Sequence, residues 1–370
     1  MDTNPVREYS GIVPTSFLKP ANSLEPTSSA VFSNGASRPK IGLALSGAST
    51  RSIFYIGFLE VLSEKNFQID YIAATSSSAI VAAAYACGTL KQLKQEALNF
   101  DKKDMLSYLE NTSSKAGLYS LNRFEEKFNE FTKGQKFEDV RPLMGFVSTD
   151  IESGERVVLS IGDITKATCA SCAIPGMFEP IKWGSRLLID GGVITVIPGK
   201  VAREAGCDVV VGIDLRTTPH VFEQWEVKLV KFLHTLKRLL LFNQIGRLYG
   251  LVKARLSGNG NFEYYQGMST VEDESNDTPG IFGILSRAID IADKAHKNSK
   301  DKKNNYFCDL LITPSIAAFP TWRRLLYQHF SDFARAKEMY LLGRRTALKH
   351  LPEMQKLSEQ KLPNDRFRED

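Results

Sequence analysis

Tyr71–Ala74 is a short apolar run that stops at Thr75-Ser76-Ser77-Ser78, and Ala79–Cys87 continues as small residues over a helical length. A serine at a sharp turn between a strand and a helix is where a nucleophile elbow forms, because the strained turn lifts its hydroxyl clear of the sheet. The same turn brings together the residues two before and two after the nucleophile, so both must be small. That steric rule separates the three serines. Centred on Ser76, the flanks are Ala74 and Ser78, both small; centred on Ser77, one flank is the β-branched Thr75; centred on Ser78, one flank is Ile80. Ser76 is the candidate nucleophile, for attack on an acyl carbonyl. The pattern alone also fits a simple packing device, since small-residue turns are common where strands lead into helices.

Other residues with chemical potential are fewer. Arg186–Ile189 reads as a strand running into Asp190-Gly191-Gly192, which by itself is ordinary turn chemistry. The five histidines are His220, His234, His296, His329 and His350, and none lies in residues 1–219. A Ser-His-Asp triad stays open, because its members can come from distant segments; none of these histidines sits at a strand end beside small turn residues. Cys169 and Cys172 form a lone CxxC with no second pair to complete a zinc site. With Cys87, Cys207 and Cys308 they are odd in number and scattered, which argues against a disulfide framework and for small buried side chains. Ser46-Gly47-Ala48-Ser49-Thr50 follows a strand and opens a helix, as a nucleotide-binding loop would, yet G-K-[ST] and G-x-G-x-x-G are absent there.

The elements that must position these residues follow from periodicity. Lys40–Leu45 is an apolar strand, and Arg51–Lys65 has apolar side chains at Ile53, Ile56, Leu59 and Leu62, a helical spacing. Strand, tight turn and helix, repeated at Tyr71–Cys87, imply a parallel sheet with helices packed on it. Residues 89–135 read as helical with loops. Leu143–Ser148, Glu155–Ser160, Cys207–Leu215 and Leu310–Pro314 read as strands, and Ile281–His296 and Phe330–Leu351 as helices. Residues 226–256 mix Leu, Val and Phe with Lys and Arg, so a basic amphipathic helix is expected, either covering the sheet or lying on an anionic bilayer.

The bulk numbers bound the class. The 370 residues are 43% hydrophobic and 24% charged, which suits a globular chain with an ample core. A net charge of +5 gives no case for nucleic acid and tolerates an anionic membrane surface. The N-terminus has no basic stretch followed by an apolar run, and no stretch reaches the length of a bilayer span, so a cytoplasmic location is expected, with peripheral association at a membrane.

Several segments, in order, resemble the patatin-like phospholipase family. Ile41–Leu62 (IGLALSGASTRSIFYIGFLEVL) is similar to its first strand, Gly-rich oxyanion loop and first helix. Ile69–Gly88 is similar to its nucleophile strand, elbow and helix, and Ala170–Pro198 (ASCAIPGMFEPIKWGSRLLIDGGVITVIP) to its AS-x-x-IP-x-x-F-x-P segment and Asp-Gly-Gly motif. The resemblance implies a three-layer α/β/α fold with a mainly parallel central sheet. It also implies a Ser–Asp dyad of Ser76 and Asp190 without histidine. Gly47, Ala48 and Ser49 would supply oxyanion donors, and Arg51, Gly191 and Gly192 would support the site. The family's chemistry needs no metal or organic cofactor. Its substrates are phospholipids or other acyl esters, so the expected role is lipid degradation through an acyl-enzyme. The expected organisation is an N-terminal arm over 1–39 and a patatin-like domain over 40–352. Within the domain, 226–300 would be a helical insertion serving as lid or membrane-facing region, and 353–370 would be a polar tail.

The chain departs from the family at its glycines. Ala48, Ser49 and Ser52 stand in the loop, and Ala74 and Ser78 replace both glycines of G-x-S-x-G. A Cβ at a left-handed position costs about 1–2 kcal/mol, and a displaced oxyanion donor about 10²–10³ in rate. The alternative expectation is therefore a catalytically silent member that binds lipid or serves as a scaffold.

Overall fold

The computed structural model describes residues 38–112, 114, 116–215, 280–297, 305–316 and 335–360. All of them belong to one unit, formed by residues up to 216 and from 279 onward. The expectations for the arm before residue 38, the amphipathic stretch 226–256 and the tail beyond 360 lie outside the described residues.

In chain order the strands are β1 (Ile41–Leu45), β2 (Tyr71–Thr75), β3 (Glu110–Asn111), β4 (Gly117–Ser120), β5 (Leu143–Asp150), β6 (Arg156–Leu159), β7 (Gly176–Phe178), β8 (Ile181–Trp183), β9 (Arg186–Asp190), β10 (Val209–Ile213) and β11 (Leu310–Ile312). The helices are α1 (Ile53–Glu64), α2 (Ser77–Ala86), α3 (Leu90–Asn99), α4 (Lys102–Tyr108), α5 (Asn122–Thr132), α6 (Ile164–Cys172), α7 (Gly199–Glu204), α8 (Ile281–Lys297) and α9 (Ala336–Glu359). The main sheet runs β11-β10-β1-β2-β5-β9-β8, with β6 also on β5. The first five strands are parallel, and β9, β8 and β6 join antiparallel. The fold is α/β with a mixed, largely parallel sheet. Residues 89–135, read as helices and loops, also contain β3 and β4, which with β7 form a separate small sheet. Their two to four residues are too few for a period to show.

Strand alternation sends the core to both faces. Ile41, Leu43 and Leu45 of β1 and Ile72 and Ala74 of β2 pack with α1, α2 and α9. Ala44, Tyr71, Ala73 and Val210 face the other way, onto Ile197 and the α7 residues Val201 and Ala202. That makes three layers. α1 is apolar nearly all round, as a helix covered on both sides must be. The sheet covers one side and α9 the other. The two helices cross at Gly57 and Gly343, where an added Cβ would overlap the carbonyl oxygens of Tyr340 and Phe54 respectively. Glu60 closes the flank of this crossing, with Lys94 Nζ at 2.8 Å and Arg344 Nη1 at 2.6 Å. Burial pushes its carboxyl up, but hydrogen bonds from Lys94, Tyr340 and Arg344 outweigh that and hold it below the usual range.

One detail of register decides the geometry at the sheet's edge. β6 occupies one side of β5, pairing Val147 with Val158 and Ser148 with Val157. The other side is shared. β2 runs up it and ends with Thr75 opposite Val147, while β9 runs down it and ends with Asp190 opposite Ser148. The C-terminal ends of β2 and β9 therefore meet head to head on adjacent residues of one strand.

Gly57→Ala and Gly343→Ala should each lower stability by about 1–3 kcal/mol, because a methyl group must force α1 and α9 apart. Urea unfolding measures this, and a loss below about 0.5 kcal/mol for both would show that the crossing is not close-packed.

Candidate active site

The turn after β2 places Ser76 at φ 58° and ψ −134°. A residue with a Cβ seldom occupies that region, and the conformation persists only where surrounding contacts over-determine it. Several such contacts are present. The Ser76 N–H donates to Ser171 Oγ at 2.8 Å, and that hydroxyl donates to the Val147 carbonyl at 2.6 Å. Ser78, fully buried, accepts from the Thr75 N–H at 3.0 Å and reaches the carbonyls of Leu45 at 3.0 Å and Thr75 at 2.8 Å. Ser77 shares a 2.5 Å hydrogen bond with Ser52 Oγ and lies 3.4 Å from the N–H of Ala48.

Ser76 Oγ donates to Asp190 Oδ2 at 2.5 Å, joining side chains 114 positions apart in the chain. Asp190 Oδ1 accepts the N–H of Gly192 at 2.7 Å, and the Asp190 N–H donates to the Ala173 carbonyl at 2.8 Å. Asp190 is only 6% exposed. Burial pushes its carboxyl up to about 6, while the hydrogen bonds from Ser76 and Gly192 act in the opposite sense. A carboxylate with that affinity for protons can accept one from a hydroxyl near neutral pH. Gly191 has no room for a side chain, since a Cβ there would overlap the Val147 carbonyl oxygen.

The loop before α1 lies alongside. An added Cβ on Gly47 would stand 3.3 Å from the Cβ of Ser76, so the two residues are neighbours. The Gly47 N–H, expected to face an oxyanion, instead donates to the Val196 carbonyl at 3.3 Å. The amide thus already has an acceptor within the protein. Arg51 Nε donates to the Ala48 carbonyl at 3.3 Å, back onto the loop. Of the replaced glycines, only Ser49 has a positive φ, at 51°; Ala48 sits at φ −150° and Ser52 at −59°. The strain anticipated for the loop is thus confined to one residue.

The remaining candidates lie elsewhere. Asp190 touches Ser76 directly, with no imidazole between them. His350 sits on α9 with Nδ1 3.4 Å from Glu353 Oε2. His220, His234 and His329 lie outside the described residues, as does the side chain of His296. Cys87, Cys169, Cys207 and Cys308 are buried, and Cys172 is half-buried. Burial, joined by the nearby charge of Asp190, holds the Cys172 thiol well above its ordinary range. Among the described residues no group of His, Cys, Asp and Glu is arranged to hold a metal ion, and no helix is long and apolar enough to cross a membrane. Sequence reasoning missed Ser171, Ser52 and Ser77. The only trace of Ser171's importance was a small polar residue inside the ASCAIP segment.

A serine on a strained strand-to-helix turn above a largely parallel α/β sheet is a framework shared by serine acyl hydrolases. Residues 43–203 match the family model described as patatin-like phospholipase. An uncharacterized NTE family protein of Mycobacterium tuberculosis is 26% identical over 353 residues, spanning 88% of this chain and 95% of its own. Patatin-like phospholipase domain-containing protein 7 of Mus musculus is 29% identical over 182 residues, or 47% of this chain and 13% of that protein. Among solved structures, VipD from Legionella pneumophila aligns over 91% of this chain and 72% of its own, at 13% identity and a TM-score of 0.35. Over residues 43–203 the chain is thus similar to the patatin-like phospholipase family, and the relatives it matches include NTE family and patatin-like phospholipase domain-containing proteins.

Two outcomes follow from the site. Asp190 has a folded pKa of about 6 against an ordinary 3.8, so its ionisation opposes folding. That cost is absent below pH about 4, grows up to about 6 and is constant above. Asp190→Asn should therefore gain on the parent by up to about 3 kcal/mol between pH 4 and pH 7. Unfolding curves at the two pH values measure this, and a difference that does not change with pH would contradict it. Ser78→Gly, which restores the family's glycine, should cost about 1–3 kcal/mol of stability by removing the buried hydroxyl's bonds. A neutral or stabilising result in the same assay would mean that the hydroxyl contributes nothing.

Proposed function

We propose that the chain is a lipid acyl hydrolase of phospholipase or esterase type, working through a Ser76–Asp190 dyad. The observation that carries this reading is the 2.5 Å hydrogen bond from a strained serine hydroxyl to a buried carboxylate. Asp190 takes the Ser76 proton as Oγ attacks the ester carbonyl. The tetrahedral oxyanion forms beside the loop 47–49 at the start of α1, where backbone amides and the helix dipole favour negative charge. Collapse breaks the ester C–O bond, the alcohol leaves with the proton from Asp190, and an acyl-Ser76 ester remains. Water, deprotonated by Asp190, attacks that ester and frees the acid and the serine. Lipid esters are the substrate class that similarity to this family favours, and peripheral association with a membrane surface is part of the proposal.

One observation favours a second reading. The Gly47 N–H is already engaged with Val196, so receiving an oxyanion there requires breaking that contact. A chain that cannot do so would be a lipid-binding or scaffolding member of the same family.

A short-chain nitrophenyl ester separates the two. Hydrolysis should be abolished by Ser76→Ala and by Asp190→Ala, with kcat/KM in the unaltered chain falling below pH about 6 as Asp190 protonates. Turnover that survives either substitution rules out the dyad, and folded protein without turnover supports the second reading.

A further inference from the structure

The last turn of α6 holds both members of the dyad by their main-chain groups. Ser171 Oγ accepts the N–H of Ser76 at 2.8 Å, and two residues later the Ala173 carbonyl accepts the N–H of Asp190 at 2.8 Å. Ser171 is fully buried, and its own proton is committed to the Val147 carbonyl at 2.6 Å. With its proton on Val147, the hydroxyl presents a lone pair to the Ser76 N–H. Val147 is also the β5 residue opposite Thr75, and its carbonyl leaves no space for a side chain at Gly191. A single carbonyl thus locates the hydroxyl that locates the nucleophile, and it borders the loop that carries the aspartate.

The turn at Ser76 has a need that this contact meets. At φ 58° and ψ −134° the backbone has left the β2 ladder and has not yet entered α2, so its N–H finds no partner in either regular pattern. A buried donor left unpaired costs free energy, and the turn would relax to recover a partner. Relaxation would rotate Oγ away from Asp190 and from the loop at 47–49.

We infer that Ser171 is a positioning residue for hydrolysis: by accepting the Ser76 N–H it keeps the nucleophile in its strained conformation, in line with Asp190. The inference rests on the dyad reading proposed above. Ser171 touches neither substrate nor reacting atoms, so it acts on the rate of attack and not on substrate binding. Displacement of a reacting atom by about 1 Å costs on the order of 10²-fold.

The test uses the full chain and a fluorophosphonate probe, following both the extent and the rate of labelling, with ester kinetics alongside. Ser171→Ala should label to the same final stoichiometry as the parent but about 10–100-fold more slowly. Its kcat should fall in parallel, with KM within about twofold, and the pH limb near 6 should move upward, because the Ser76 hydrogen bond that favours the ionised form of Asp190 is weakened. Ser171→Thr, which retains the hydroxyl, should recover most of the rate. Thr168→Val is the control: it removes another fully buried hydroxyl of α6, one bonded only within its own helix at 2.8 Å to the Ile164 carbonyl, and should leave the rate unchanged. A merely structural role would instead lower the final stoichiometry and the melting temperature in both variants together. Ser76-dependent labelling that runs at the parent's rate in Ser171→Ala overturns this inference alone. Labelling that is absent from the parent, or that persists in Ser76→Ala, overturns the dyad reading and this inference with it.

Discussion

A carboxyl group almost out of contact with water, hydrogen-bonded to a serine hydroxyl, is the constraint around which the rest of the molecule is arranged. Ionising a buried carboxyl is costly, and two hydrogen bonds offset only part of that cost, so Asp190 holds its proton to about pH 6. The same burial that opposes folding makes the group a stronger base than an exposed aspartate. The sheet supplies the meeting point. β2 and β9 approach each other along one side of β5 and stop on its adjacent residues Val147 and Ser148, so two distant stretches of chain deliver their last side chains to one place.

The replaced glycines are handled by chemistry specific to this chain. A glycine is required only where φ is positive or where a neighbour leaves no space. None of Ala48, Ala74, Ser52 and Ser78 has a positive φ. The hydroxyls of Ser52, Ser77 and Ser78 tie the elbow to the first strand, to the loop and to the start of α1. Below them, the Tyr55 hydroxyl lies 3.0 Å from both the side-chain and the main-chain oxygen of Ser46, which fixes the end of β1. Where the family uses glycine for close approach, this chain uses small side chains that bond to one another. The result is a set of hydrogen bonds surrounding Ser76. It comes with a loop amide, that of Gly47, turned onto Val196.

Much of this was legible in the sequence. The apolar runs of β1, β2, β5 and β10 lie in the middle of a sheet covered on both faces, where side chains of either parity must be apolar. The steric rule at the elbow singled out Ser76 from three adjacent serines using the sizes of Ala74, Thr75, Ser78 and Ile80 alone. The helix over 53–64 followed from its spacing, although its first turn is a 3-10 turn at Ser49–Ser52. Less legible were features that depend on register. The sharing of β5 by β2 and β9, the bond from Ser76 to Ser171 and the capture of the Gly47 amide all join residues whose separation in the chain carries no local pattern. Of the five substituted positions only Ser49 takes a positive φ, and for the same reason, because φ at each is set by tertiary context.

The most direct measurement is the titration of the Asp190 carboxyl itself, followed by carbon NMR in protein labelled at aspartate Cγ. The midpoint should lie near pH 6 in the unaltered chain and move higher in Ser76→Ala, since the lost hydroxyl stabilised the ionised form. A midpoint near 4 that does not respond to Ser76→Ala would mean that the two groups do not share a buried site.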